Sequence, residues 1–500
     1  MNAECAWTNE HSDQFQIRVR NEMQTASTDT VASTTVYFRL GDALTTSPIS
    51  HPAAGVRLIL AALAPWLMAG CAAYHPRPLA TEISQPDPAL SAMAVTIDRP
   101  FLTPQPIDLA APLTPNALAV IAVLENPELK ALRTRAAVVD AQAFAARLLP
   151  DPSVSFGADK ILAGPDTFTS LAGQLGFDLS MLRTHAAQRV KDRALGAQTR
   201  ADIAWAEWQT ACNARLQGTR VVALTAQLPL ARESAAATQA LYDRSAQAVA
   251  RGDIARADLD VRRLAALAAA ANLRGVERDL AAAQLELNRM LGLPPEIVLQ
   301  LASPEAPLAT PSADTLTQLA LARRLDLAAL RKGYDAAEAD VRLAIIQQFP
   351  NINLTLAGAR DTTNNRTVGG QIGFTLPLWN RNRGGIAVAD ATRAQLHAEY
   401  DARLFQTRAD IASAVSALGI SVRQRDELAA QLPALGQNAE AASRAARRGD
   451  IAAAVAETSA QALRDRRLAG LQLDQAVAEQ FIALELLTGG PRTAWAEGRN

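Results

Sequence analysis

The chain is written twice, with a spacing of 197 to 200 residues. Asn126-Pro127-Glu128-Leu129-Lys130-Ala131-Leu132 is echoed by Leu325-Asp326-Leu327-Ala328-Ala329-Leu330, and Leu149-Pro150 by Phe349-Pro350. Gly173-Gln174-Leu175-Gly176-Phe177 returns as Gly370-Gln371-Ile372-Gly373-Phe374, and Arg251-Gly252-Asp253-Ile254 as Arg448-Gly449-Asp450-Ile451. Four matches in the same order leave little room for coincidence, and a duplicated chain builds the same unit twice. The repeats are placed at 115–300 and 301–490. Before them come a presequence over 1–70 and a proline-rich extended arm over 71–114, and after them a tail over 491–500.

Each repeat has one internal order. A helical stretch opens it, Pro115–Leu149 in the first and Thr315–Gln348 in the second, with leucines at three- and four-residue intervals. Strands follow: Asn351-Ile352-Asn353-Leu354-Thr355-Leu356 alternates strictly between polar and apolar. Ser153-Val154-Ser155-Phe156, Gln174–Leu179 and Gln371–Leu376 do likewise, so each strand presents one apolar and one polar face. A very long helix comes next, from about Leu182 to Ala250 and from about Asn382 to Arg447, roughly 100 Å at 1.5 Å per residue. It ends at the Arg-Gly-Asp step, and a shorter helix returns over Ile254–Leu291 or Ile451–Leu487. Gly292 with Pro294, and Gly489-Gly490 with Pro491, supply the stops.

Four such strands leave an apolar face uncovered and two sheet edges open. Helices this long need neighbours along their whole length, because alanine is abundant and aromatics are only 4% of the chain. Symmetric self-association closes both, the strands into a barrel and the helices into a tube. Strands with one apolar and one polar face suit a membrane wall around a water-filled lumen.

Catalysis has no foothold. Cys5, Cys71 and Cys212 show no metal-ligand spacing, and His11, His51, His75, His185 and His397 are scattered. No zinc-site spacing, phosphate-binding glycine loop or nucleophile elbow is present, so no cofactor or metal is expected. A formal net charge of -1 gives no electrostatic reason to expect nucleic acid. Cys212 reads as a small buried apolar residue, and His185 and His397 as wall residues rather than ligands.

At the N-terminus, Arg57 precedes the apolar run Leu58–Gly70 and then Cys71, the plan of a secretory signal. Ala69-Gly70-Cys71 resembles a lipoprotein signal, with Met68 where a branched residue usually stands. Residue 72 is alanine rather than aspartate, which by that resemblance favours outer-membrane sorting. Cys71 is therefore the lipidation candidate, the alternative being a secretory signal with an incidental cysteine. Residues 1–56 do not read as a signal n-region and suggest a start assigned too far upstream.

Signal, duplication, two strands per repeat and a long helix followed by a short one together resemble the TolC family of outer-membrane efflux proteins, from Cys71 to about Gly490. Leu149-Pro150-Asp151-Pro152 entering the first strand and Leu376-Pro377-Leu378-Trp379-Asn380-Arg381-Asn382-Arg383-Gly384 leaving the fourth carry the match. The resemblance implies a mainly α chain with a membrane β-barrel portion. The assembly it implies is a homotrimer with a twelve-stranded barrel, four strands from each chain, continued by a periplasmic α-helical barrel. The protein would then be a lipid-anchored, barrel-inserted component of the cell outer membrane, a passive export duct and not an enzyme. Its implied partners are a periplasmic adaptor, an inner-membrane pump of the resistance–nodulation–division type and outer-membrane lipid. The Asn380–Gly384 run is most similar to the branch serving heavy-metal exporters; a multidrug channel of the same family is the alternative, and a periplasmic adaptor a more distant one.

In this frame the two Arg-Gly-Asp steps are hairpin tips. Glycine lets the chain reverse and the aspartate can cap the returning helix; the resemblance adds docking of the adaptor at Arg251, Gly252, Asp253, Arg448, Gly449 and Asp450. Asp253, Asp258, Asp450 and Glu457 are the gate candidates by position, against the alternative of ordinary solvated charges. Pro229 and Pro433 fall inside the long helices and remove one backbone hydrogen bond each. Trp379 suits either a membrane interface or packing on the helices.

Overall fold

The computed structural model describes residues 74–79, 90–165, 168–303 and 312–495. Cys71 and the whole presequence lie outside the described residues. Two units divide the chain, Met1–Thr81 and Glu82–Asn500. Of the first, only the exposed, irregular residues 74–79 are described; the account below concerns the second.

The first repeat runs α2 (Pro115–Glu125), α3 (Pro127–Ala145), β1 (Ser153–Asp159), β2 (Ser170–Asp178), α4 (Ser180–Arg251) and α5 (Arg256–Met290), preceded by the short α1 (Leu90–Val95). The second repeats the order as α6 (Ala313–Arg323), α7 (Leu325–Ile346), β3 (Ile352–Arg360), β4 (Arg366–Phe374), α8 (Arg383–Arg448) and α9 (Ala453–Thr488). A 3₁₀ turn over Arg492–Trp495 ends the described chain. Helix α4 has 72 residues and α8 has 66, each continuous through its internal proline. Among the described residues no helix is long and apolar enough to cross a membrane.

The opening helical stretch of each repeat is two helices rather than one. At Asn126 the backbone turns out of the helical region, because Pro127 disfavours a helical residue before it. Asn126 then caps α3, its Oδ1 accepting from Leu129 N at 3.0 Å. The second repeat breaks without a proline: Arg324 is extended, and its guanidinium grips Asp326, with Nη2 to Oδ2 at 2.6 Å.

From Leu90 onward the 71–114 arm is not a free linker. Ile97, Phe101, Leu102, Ile107 and Leu113 are buried in the main hydrophobic cluster with Trp208, Cys212 and Leu287. Phe101 tilts against Trp208 with centroids 5.1 Å apart, and Leu113 bridges to Leu301. Nor is 491–495 a loose tail, since Trp495 stacks on Phe481 in the second cluster.

The four strands form one antiparallel sheet in the order β1-β2-β3-β4. Its central pairing joins the repeats: Leu171 faces Arg360 and Leu175 faces Leu356. Among the described residues both outer edges, β1 and β4, stay unpaired.

Candidate functional site

The sheet is sorted by chemistry. On one face lie Val154 and Phe156 of β1, Leu171, Leu175 and Phe177 of β2, Ile352, Leu354 and Leu356 of β3, and Val368, Ile372 and Phe374 of β4. The other face carries Ser153, Ser155, Gln174, Asn353, Thr355, Thr367 and Gln371, with glycines and alanines between them. The register makes this sorting continuous across strands, because Val154, Leu175 and Leu356 fall in one row and Ser155, Gln174 and Ala357 in the next. Among the described residues the apolar face has no cover: Phe156 is 86% and Val368 94% exposed. Phe156 does cover Gly173 opposite it, the ring lying 3.5 Å from where a Cβ would stand.

At the far end of the long helices the two tips are built alike. Gly252 takes φ +81° and Gly449 φ +82°, the left-handed conformation that ends a helix with the hydrogen bonds Asp253 N→Ala248 O at 2.9 Å and Asp450 N→Ala445 O at 3.0 Å. Capping by the aspartates is a misreading. The N-caps of α5 and α9 are Ala255 and Ala452, neither making a side-chain cap bond. Each aspartate folds back on the arginine of its own tip instead, Arg251 Nε to Asp253 Oδ2 at 2.9 Å and Arg448 Nε to Asp450 Oδ2 at 2.8 Å. The short spacing through glycine favours this pairing over a longer reach to the next helix.

The gate candidates lie at and just beyond the two tips. Asp253 and Asp450 belong to separate tips, and Asp258 is exposed on the first turn of α5. Glu457 does meet a partner, the buried Arg464 of α9. Arg464 also lies 3.5 Å from Glu233 of α4 and hydrogen-bonds Gln461, and Ser234 donates to Gln461 at 3.0 Å. This polar link ties α4 of the first repeat to α9 of the second beside a cavity of about 270 Å³. Sequence reasoning missed Arg464 and Glu233, because partners more than 200 residues apart leave no spacing signal.

Two further buried ionic groups brace the helices toward the middle of α4. Glu485 of α9 lies 2.5 Å from Arg215 of α4 and 2.7 Å from Arg492. Glu207 of α4 receives Arg99 from the arm at 2.5 Å and Arg133 from α3 at 2.7 Å. Burial acts to raise the Glu207 carboxyl, but the two arginines outweigh it and hold it below the ordinary range. Burial pushes the Cys212 thiol up, so it stays a neutral apolar group.

Trp379 is 86% exposed. In the Asn380–Gly384 run, Asn382 takes φ +51° at the start of α8, and its Nδ2 donates to Ala344 O at 2.8 Å. His397 pairs with Asp401 at 3.1 Å. Among the described residues no three His, Cys, Asp or Glu side chains are grouped to hold a metal.

Residues 316–490 match the outer membrane efflux protein family, and no curated protein sequence matches the chain. Among solved structures, CusC, studied for its folding and transmembrane channel formation, superposes with a TM-score of 0.61 at 19% identity, over 82% of this chain and 99% of its own. VceC, an outer membrane protein of Vibrio cholerae, gives 0.62 at 18% identity over 75% and 96%. The open state of the MtrE outer membrane channel of Neisseria gonorrhoeae gives 0.61 at 16% over 82% and 98%. At these identities the likeness is one of fold.

Proposed function

Since the second repeat belongs to the outer membrane efflux protein family and the chain is folded like the solved outer membrane channels, we propose that this protein is the outer-membrane duct of a tripartite efflux system. The observation that carries this reading is the two-faced sheet. An uncovered apolar face is stable against lipid, a face of serine, threonine, asparagine and glutamine is stable against water, and two open edges are stable when paired with other copies. Three chains would supply a twelve-stranded barrel, and the 72- and 66-residue helices would extend the lumen into the periplasm. The protein is not an enzyme; its work is to offer a wet path and a docking end.

The exposed tips at Arg251–Asp253 and Arg448–Asp450 would meet a periplasmic adaptor, and the Asp253, Asp258, Asp450 and Glu457 carboxylates would face the constriction. Cys71 would carry the lipid anchor. Export of metal cations through a resistance–nodulation–division pump is supported by the Asn380–Gly384 run. Asn382 has a structural task there, so the same run serves a channel for organic compounds equally well.

Incorporating the purified full chain into planar bilayers, with cross-linking to count subunits, tests the central reading. Stable conductance steps from a trimer are expected; a water-soluble monomer without conductance would overturn it. Growth of a deletion strain on metal cations and on organic toxins then separates the two substrate classes, and accumulation of precursor under globomycin tests Cys71.

A further inference from the structure

The apolar sheet face ends in two arginines. Along β3 the residues on this face are Ile352, Leu354, Leu356, Gly358 and then Arg360; along β4, Phe374, Ile372, Gly370, Val368 and then Arg366. Arg360 and Arg366 are direct partners across the strands. Ile352 and Arg360 are separated by roughly 26 Å of strand at 3.3 Å per residue, close to the height of an outer-membrane apolar band. Both arginines stand beside the β3–β4 turn, at the end of the sheet away from the helices that enter and leave it.

Like charges directly opposite in a sheet repel, and among the described residues no ion pair relieves this one. The carboxylate next in sequence, Asp361, is consumed by the turn. Its Oδ1 accepts from Thr363 N at 3.0 Å and Asn365 N at 2.7 Å, and its Oδ2 from Asn365 Nδ2 at 2.9 Å. These bonds hold its carboxyl below the ordinary range and turned into the loop. Arg360 spends Nη2 on Thr169 O at 3.2 Å and lies over the Phe168 ring at 5.9 Å, while its Nε is buried without an acceptor. Arg366 is exposed and makes no ion pair among the described residues.

We infer that Arg360 and Arg366 form a phosphate-binding site for the headgroup of a phosphorylated glycolipid in the outer leaflet. The inference rests on the channel reading, which sets this face against lipid and this end outside. Guanidinium forks match phosphate oxygens in pairs. A lipid phosphate at the upper edge of the apolar band would meet the exposed Arg366 guanidinium and neutralise the opposed charges. The acyl chains of the same lipid would run down over Val368, Phe156 and Leu356.

The test uses the full chain purified from outer membranes and exchanged into phosphatidylcholine vesicles with diphosphorylated lipid A, with dephosphorylated lipid A, or with inorganic phosphate alone. Lipid retained through washing is read by mass spectrometry. Retention of diphosphorylated lipid A is expected to fall roughly tenfold or more in the R360Q/R366Q double variant, the scale of a lost charge-assisted contact. The R360K/R366K variant should keep much of it. Equal retention of dephosphorylated lipid A, or unchanged retention in R360Q/R366Q by a trimer that still conducts, would overturn the inference alone. Displacement of the lipid by inorganic phosphate would make this a free-anion site and overturn the lipid assignment. Absence of any membrane-inserted trimer would overturn the channel reading and this inference with it.

Discussion

Arg215 of α4 and Glu485 of α9 lie 2.5 Å apart, and Glu485 is fully buried. They belong to different repeats, so this ion pair is one of the places where the duplicated halves are fastened. Arg492 reaches the same carboxylate at 2.7 Å, which leaves two cations around one anion. Removing the carboxylate strands the buried Arg215 and takes one partner from Arg492. Glu485→Ala is therefore expected to destabilise the chain by about 3–5 kcal/mol, the usual result of breaking a buried pair from one side. A urea titration of the full protein in detergent reads it as a lowered midpoint. An unchanged midpoint would mean that packing, not the ionic group, fastens the repeats.

The Glu207 group predicts a pH dependence. Its carboxyl is held below the ordinary value of 4.5 by Arg99 and Arg133 against the opposing effect of burial. A depressed folded value means stability that is fully present above about pH 4.5 and lost as the pH falls through the lower folded value. Glu207→Gln should melt lower than the parent at pH 7, and the gap should shrink as both are taken below pH 4.5. Thermal melts across a pH series check this; a gap that is constant, or that widens toward acid, would contradict it.

The two tip glycines and Gly292 differ in what a side chain would meet. At Gly252 the cost of alanine is backbone strain alone, since φ is +81° and nothing lies within 4 Å. At Gly292 φ is +65° and a Cβ would stand 2.5 Å from the Glu125 carbonyl oxygen. Gly252→Ala is thus expected to cost on the order of 1–2 kcal/mol, and Gly292→Ala clearly more, because main chain must move as well. Chemical unfolding of the two variants side by side gives the order. Equal effects would show that the Glu125 turn yields easily.

Much of this architecture is legible in the sequence because it is stated twice. The long helices, the alternation of the four strands and the reversals at Gly252 and Gly449 each have a counterpart in the other repeat, so chance patterns are filtered out. The breaks at Asn126 and Arg324 are harder to read. Pro127 marks the first, yet a proline also starts helices, and the second depends on a side chain gripping its neighbour two residues away. The tip aspartates show the same limit: capping and pairing with arginine need identical residues at identical spacing, and geometry alone selects the pair. Contacts such as Arg464 with Glu233, or Arg99 with Glu207, join positions more than 100 residues apart. Helical periodicity carries no trace of them.

The sorting of the sheet faces makes the sharpest prediction about the membrane. Leu356 and Ala357 are neighbours near the middle of β3 and point to opposite faces. Leu356 stands in a row with Val154 and Leu175 on the apolar face, and Ala357 in a row with Ser155 and Gln174 on the polar one. An arginine facing lipid near the midplane of an outer-membrane barrel costs about 2–4 kcal/mol, whereas one facing a wet lumen keeps its hydration. Leu356→Arg should therefore lower the amount of trimer recovered from the outer membrane. Ala357→Arg should leave that amount nearly unchanged and alter single-channel conductance instead, by adding fixed charge to the lumen wall. Quantitative blotting of outer-membrane fractions, paired with bilayer recording, separates the two effects. If the outcomes exchange places, the apolar face is the inner one and the sheet is not a barrel wall in lipid. If both variants behave alike, the alternation reflects packing between copies rather than a boundary between lipid and water.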